Sequence, residues 1–280
     1  MASYSIHKKA KAVVPVRLGE QVAQLLLERI RLGEYLPGNR LPSERELCEE
    51  LGVSRTVLRE GLHWLEYQKY VEILRGQHGG AVVLPTTPEV AWERVQGQVT
   101  ELVELLEYRM LVEPHAAELA AGRIRSSELD QLKALHVRQL KDTGLTRPEA
   151  RAIDVQMHAL IADASGNRHL AQAVRDIRSH LTLGIELQSH TLTRARRSRT
   201  GHAQVIDALE RHDAPAAREF MKQHIALTGE SILLALREHG SVGALAGEDS
   251  AEQQAGTAGM LGTADEPVRI QAINVTDSTA

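Results

Sequence analysis

Apolar residues recur at helical spacing over most of the chain. From about residue 89 to 239 the pattern is almost wholly helical, as in "VTELVELLEYRMLVEPHAAELAAGRI". Apolar positions there return every three or four residues, which buries one face of a helix. Breaks at "RIRSSE", "DTGLTRPE", "ASGN", "RSRTG" and "HDAP" divide the region. The spacing predicts roughly six or seven helices in an antiparallel bundle. Ahead of it the pattern is different. Residues 1–16 are polar and basic without a period and read as a flexible arm. Between Arg17 and Leu84 the pattern predicts two or three short helices and a β-like end, and "LPTTP", with Pro85 and Pro88, marks a linker. After Gly240 the chain turns to Gly, Ala, Ser, Asp, Glu and Thr, so 241–280 is expected to be disordered. The expected units are therefore the 1–16 arm, a 17–85 domain, an 86–240 bundle and the 241–280 tail. The fold class is mainly α.

The 17–85 segment carries a specific order of local signals. Ser43 followed by Glu46 is a capping box that starts a helix at Glu44. Gly52 ends that helix, and Ser54 caps the next. The second helix has Val57, Leu58, Gly61 and Leu65 on one side and Arg55, Thr56, Arg59 and His63 on the other. Two short helices, a glycine turn and a polar second helix make a helix-turn-helix. Its second helix would enter a DNA major groove, where arginine suits a bidentate contact to guanine. "YVEIL" and "AVVL", joined by "RGQHGG", predict a hairpin whose thin tip can approach the minor groove or its phosphates. Arg75 and His78 would supply positive charge there. A solvated amphipathic pair is the bland alternative for two helices alone, but the full order of signals is far more specific.

Charge supports this assignment only weakly. The net charge is −4 over 280 residues. Residues 1–85 carry 12 Lys+Arg against 10 Asp+Glu, and the remainder 21 against 27, so the N-terminal part is the better partner for a polyanion. Aromatic residues make up 3%, so the cores must be built from Leu, Ala, Val and Ile. Cys48 is the single cysteine, which excludes an intramolecular disulfide and fits a reducing cytoplasm. It reads as a small buried residue of the first helix of the DNA-binding pair. No apolar run approaches the roughly 20 residues of a membrane span, and the N-terminal stretch lacks the apolar core of a signal peptide.

The stretch "GNRLPSERELCEELGVSRTVLREGLHWLE" resembles the winged helix-turn-helix of the GntR family of bacterial transcription regulators. The likeness covers about residues 18–84, and "LLLERIRLGEYLPG" resembles that family's first helix. The resemblance implies DNA contacts from Arg45, Arg55, Thr56 and Arg59, and from the wing at Gly76, His78 and Gly79. Two positions depart from the pattern. Lys69 stands where glycine is usual, and Gly61 where alanine is common, which weakens helix propensity by roughly 1 kcal/mol.

The bundle carries a second candidate site. Asp154 and His158 lie four apart, one turn along one helical face. With 13 histidines, an exposed polar pair is a sufficient account of these two alone. His202 shares a stripe with Val205, Ile206 and Leu209, and His224 lies near Phe220, Met221 and Leu227 on a helix that Asp213 should cap. Each histidine thus points toward the interior, where an imidazole needs a partner. One divalent ion would satisfy a carboxylate and three imidazoles together. These spacings also resemble the FCD ligand-binding domain of the FadR-type branch, over about 90–237. That likeness implies metal ligation by Asp154, His158, His202 and His224, and an organic-acid effector held partly by Arg109. An ordinary ion pair with Glu113 is the other reading of Arg109. His115, His136, His169, His180, His190 and His212 read as residues with local partners, with His180 the one that could line the pocket.

The function expected is a cytoplasmic DNA-binding transcriptional regulator, a repressor and not an enzyme. Its helical domain would bind a divalent metal, zinc first with nickel or another first-row ion open, and a small carboxylate effector. It would act as a homodimer on a palindromic operator, with no membrane partner. Two alternatives stand beside it: a DNA-binding protein whose bundle is only a dimerisation module, and a metalloenzyme. The second lacks any HExxH-like motif.

Overall fold

A computed structural model describes residues 17–76, 79–141, 144–188 and 191–248, without the side chains of Lys141 and of 241–248. The 1–16 arm, His78 and His190 lie outside the described residues.

Three helices and a hairpin come first. Helix α1 (Leu18–Leu32) turns Val22, Ala23, Leu26, Leu27 and Ile30 inward and ends at Gly33, whose φ of 82° is the left-handed C-cap that glycine adopts without strain. Helix α2 (Glu44–Leu51) begins at the Ser43–Glu46 capping box and stops at left-handed Gly52, and Ser54 caps α3 (Arg55–Tyr67), all as the sequence pattern predicts. Strands β1 (Val71–Leu74) and β2 (Gly80–Val83) form an antiparallel hairpin, Val71 opposite Val83 and Leu74 opposite Gly80. Leu26, Leu47, Leu58, Leu65, Val71 and Val83 share one core beneath them.

Both departures from the expected motif have physical reasons. A Cβ on Gly61 would stand 2.9 Å from the Gly19 carbonyl oxygen, and one on Gly19 would stand 2.7 Å from Glu60 Cβ. The two glycines let α1 and α3 approach more closely than alanine permits, and that contact outweighs helix propensity. Lys69 adopts φ 58°, the region where glycine is at ease. Its carbonyl and that of Gln68 both accept from Arg94 Nη2, at 3.1 and 3.0 Å, which holds the turn without glycine.

Seven helices follow among the described residues: α4 (Pro88–Val95), α5 (Val99–Ala121), α6 (Ser126–Lys141), α7 (Arg147–Ala164), α8 (Arg168–Leu187), α9 (Leu192–Glu210) and α10 (Ala214–Glu248). A short 3-10 turn, Gln96–Gln98, joins α4 to α5. Thr87, Thr146, Asn167 and Thr191 cap four of these helices with side-chain oxygens, and the Asp213 carboxylate accepts from Ala216 N as expected. Two apolar clusters fill the bundle, one around Leu106, Ile177, Leu181 and Ile232, the other around Met157, Ile161, Val205 and Met221.

Two expectations need correction. No break occurs at "RSRTG", because α9 runs straight through it. Glycine is there for proximity, since a Cβ on Gly201 would lie 2.6 Å from His224 Nδ1. The helical region also does not stop at Gly240, for α10 continues to Glu248. The rest of the expected 241–280 tail lies outside the described residues.

Gly61→Ala should destabilise the protein by about 1–3 kcal/mol through overpacking against α1, despite a propensity gain of about 1 kcal/mol. Urea unfolding of the two proteins checks this, and a more stable variant would contradict it.

Candidate metal centre and nucleic-acid interface

Four side chains from three helices meet inside the bundle. Asp154 and His158 come from α7, His202 from α9 and His224 from α10, and one ligand atom from each lies within 4.8 Å of all the others. The three imidazoles are buried. His158 Nε2 lies 3.2 Å from His224 Nε2, and Asp154 Oδ1 lies 3.1 Å from His202 Nε2 and 3.8 Å from His158 Nε2. The amphipathic stripes explain the convergence, since each histidine occupies a core-facing position beside Met157, Val205 or Met221.

Surrounding groups fix which nitrogens face inward. His158 Nδ1 donates to Glu113 Oε2, and His202 Nδ1 to Gln139 Oε1 at 3.1 Å. In the neutral rings each Nε2 then carries a lone pair. The His202 lone pair faces a carboxylate oxygen, and that buried nitrogen has no hydrogen-bond partner among the described residues. Two acceptors held face to face suit a cation between them. The donor set of three nitrogens and one oxygen fits a first-row divalent ion.

Charges are sealed in beside the ligands. Arg109 Nε donates to Glu113 Oε1 at 2.6 Å, with both side chains 1% exposed. Arg178 pairs with Asp154 Oδ2, leaving Oδ1 to the imidazoles. Burial opposes ionisation of Glu113, but Arg109 and His158 prevail and hold its carboxyl well below the usual range. Burial, then the neighbouring Arg109, lowers the Arg178 guanidinium to about 9. Burial first, and His158 with Arg178 next, push His202 well below an ordinary imidazole. His224 follows, through burial and then His202 and His158.

A cavity of about 340 Å³ reaches Asp154 and is bordered also by Arg151, Gln139, Gln188, Arg194 and Arg199 among others. A smaller one of about 160 Å³ reaches His224 and shares Arg194, Ser198 and Thr228 with it. Arg151 is ion-paired to Glu186, and its buried Nε has no hydrogen-bond partner among the described residues. Arg147 Nη2 lies 3.3 Å from Glu186 Oε2 and also donates to the Ile185, Glu186 and Gln188 carbonyls at the end of α8.

Arg109 is absent from both cavity walls. It makes the ion pair with Glu113 that the i+4 spacing allowed, with Nη1 and Nη2 buried and without hydrogen-bond partners among the described residues. His180 is exposed, its Nδ1 on the Asp176 carbonyl. Sequence reasoning missed Arg178, Gln139 and Arg151, and it saw Glu113 only as the partner of Arg109. Their link to the site depends on contacts between helices, and no local spacing announces it.

On the other domain, Arg55 and Thr56 are exposed at the start of α3. Arg59 Nε donates to both oxygens of Glu44, at 3.1 and 3.0 Å, and Arg45 pairs with Glu49 at 3.0 Å. Both arginines are more than half exposed, so these pairs are weak and either guanidinium can leave its carboxylate at little cost. At the wing, Gly76 has φ 100°, and a Cβ on Gly79 would stand 2.5 Å from the Leu74 carbonyl oxygen.

Comparison with known proteins settles the family. The profile described as "Bacterial regulatory proteins, gntR family" matches residues 18–83, and that of the FCD domain matches 104–227. The Exu regulon transcriptional regulator of Escherichia coli strain K12 is 34% identical over 221 residues, 76% of this chain and 84% of that protein. The chain belongs to the gntR family of bacterial regulatory proteins. This gntR-family regulator is also 32% identical to the Uxu operon transcriptional regulator of the same strain, over 76% of this chain and 86% of the other. A third relative, the galactonate operon transcriptional repressor of that strain, is 28% identical over 74% and 89%. The chain is thus a DNA-binding transcriptional regulator and not an enzyme, as the sequence led us to expect. No described helix is long and apolar enough to cross a membrane.

Metal-free protein should lose stability in mild acid. The folded His202 and His224 sit below the unfolded imidazole value of about 6.5. The unfolded chain therefore takes up protons that the folded one refuses. Stability is full above about pH 6.5 and falls below it, by about 1.4 kcal/mol per pH unit for each ring. Urea unfolding of chelator-treated protein at two pH values, about 7.5 and 5.5, tests this, and equal stability at both would contradict it.

Proposed function

We propose that this regulator is a cytoplasmic, homodimeric repressor whose helical domain binds a divalent metal and a small organic acid that together modulate operator binding. The observation that carries the reading is the convergence of Asp154, His158, His202 and His224 at an arginine-bordered cavity. Glu113 and Asp154 already balance Arg109 and Arg178. A divalent charge added there would exceed what these two carboxylates balance, and an entering anion would offset it. A bound ion would offer open coordination positions to a carboxylate or hydroxy acid. Gln139, Gln188, Ser198 and Thr228 on the wall suit hydroxyl groups, and the relative named for galactonate supports a sugar acid as the class. We assign zinc as the first candidate, with nickel or another first-row ion open.

In this reading Arg55, Thr56 and Arg59 read the major groove, Arg45 meets a phosphate, and Gly76 and Gly79 bring the wing to the backbone. His78 of the wing lies outside the described residues. Arg109 acts by holding Glu113, and through it His158, and Arg151 with Arg194 takes the effector-facing role first expected of Arg109.

Thermal unfolding should be followed as isolated, after chelation and after zinc is restored, against a panel of acids that includes galactonate. Zinc is expected to raise the transition, and a sugar acid to raise it further only with zinc present. His202→Ala should abolish both shifts. A protein indifferent to chelation and to every acid would leave the bundle as a dimerisation module only.

A further inference from the structure

Helix α1 belongs to the DNA-binding end of the chain, yet its last turn rests on α7 and α8. The Arg31 carbonyl is one of the four at a helix end that intrahelical bonding leaves over. Thr182 Oγ1 of α8 lies 3.1 Å from it. The same hydroxyl lies 3.1 Å from the Arg178 carbonyl of its own helix. It has one proton and so donates to one of the two at a time. Beside it, Gly33 is pressed against α7, where an added Cβ would stand 2.8 Å from Ala152 Cβ. Both contacts sit within a turn of the part-buried ion pair that joins α7 to α8, with Ala152 two residues before Asp154 and Thr182 one turn after Arg178.

The line continues to the wing. Arg31 Nη2 donates to Tyr70 Oη at 3.1 Å, and the Arg94 guanidinium lies 3.8 Å from the Tyr70 ring centre. Tyr70 immediately precedes β1.

We propose that Thr182 and Ala152 are coupling residues: through the Arg31 carbonyl and Gly33 they make the C-terminal turn of α1 respond to the Asp154–Arg178 pair, and hence to occupancy of the metal centre. The proposal rests on the metal-centre reading above. Asp154 divides its two oxygens between Arg178 and the imidazoles. Fixing Oδ1 therefore fixes the partner of Arg178, the start of the α8 turn that ends at Thr182. The hydroxyl's choice between its own helix and α1 is the two-state element.

The test is hydrogen exchange across residues 25–36, with and without zinc, beside zinc affinity from chelator competition. In the native protein zinc should slow exchange there about fivefold or more, the lower end of ordinary coupling. Thr182→Val keeps the shape and removes the hydroxyl, so the slowing should vanish with zinc affinity unchanged. Thr182→Ser should restore it. Ala152→Gly, which relaxes the Gly33 contact without adding bulk, should reduce it. Native slowing retained in Thr182→Val, or tight zinc binding with no change at 25–36 in the native protein, would overturn the proposal. Failure to bind zinc at all would overturn the metal centre beneath it, which the competition titration reads separately.

Discussion

Two carboxylates and two guanidiniums inside a helical bundle, all but Asp154 fully buried, constrain everything around them. Glu113 is shared between Arg109 and His158, and Asp154 between Arg178 and the imidazoles. Removing one member would strand a buried charge, a loss of about 3–5 kcal/mol. The four therefore lock α5, α7 and α8 together and leave the Nε2 atoms of the histidines turned toward one point. A bundle held only by Leu and Ala would have no need of this arrangement, and replacing such a cluster by apolar residues is often neutral or stabilising. Here the cluster turns carboxylate and imidazole donor atoms toward one point with the charges of the two ion pairs already balanced.

Close approach is the second constraint, and among the glycines that serve it three contacts stand out. Gly61 with Gly19 brings α3 onto α1, Gly201 makes room for the His224 ring, and Gly33 lets α1 rest on Ala152. The first holds α3, the helix proposed to read DNA, the second a metal-ligand candidate, and the third joins α1 to the bundle. At Gly61 and Gly201 glycine stands in mid-helix, where its propensity is poor. The cost is offset by packing that alanine would block.

Much of this was open to a reading of the sequence because the signals are local. The Ser43–Glu46 box, the Gly52 cap and the core-facing stripes are written in spacings of three and four residues. The same rule placed Asp154 and His158 on one face. It also aligned Arg109 with Glu113, but it could not show that the other Glu113 oxygen reaches His158 across 45 positions, or that Gln139 meets His202 across 63. Gly201 misled for a related reason. Beside "RSRT" it looks like a helix break, and only the ring of His224, on another helix, explains why α9 continues through it. Arg109 was assigned to the effector by likeness, whereas its position follows from burial against Glu113.

The central claim is that Asp154, His158, His202 and His224 hold one divalent ion in the bundle of this regulator. X-ray absorption fine structure of the zinc-loaded protein tests it most directly. The account predicts a first shell of nitrogen and oxygen only, at about 2.0–2.2 Å, with the outer-shell scattering of about three imidazoles. Sulfur near 2.3 Å, or a shell without imidazole scattering, would contradict it.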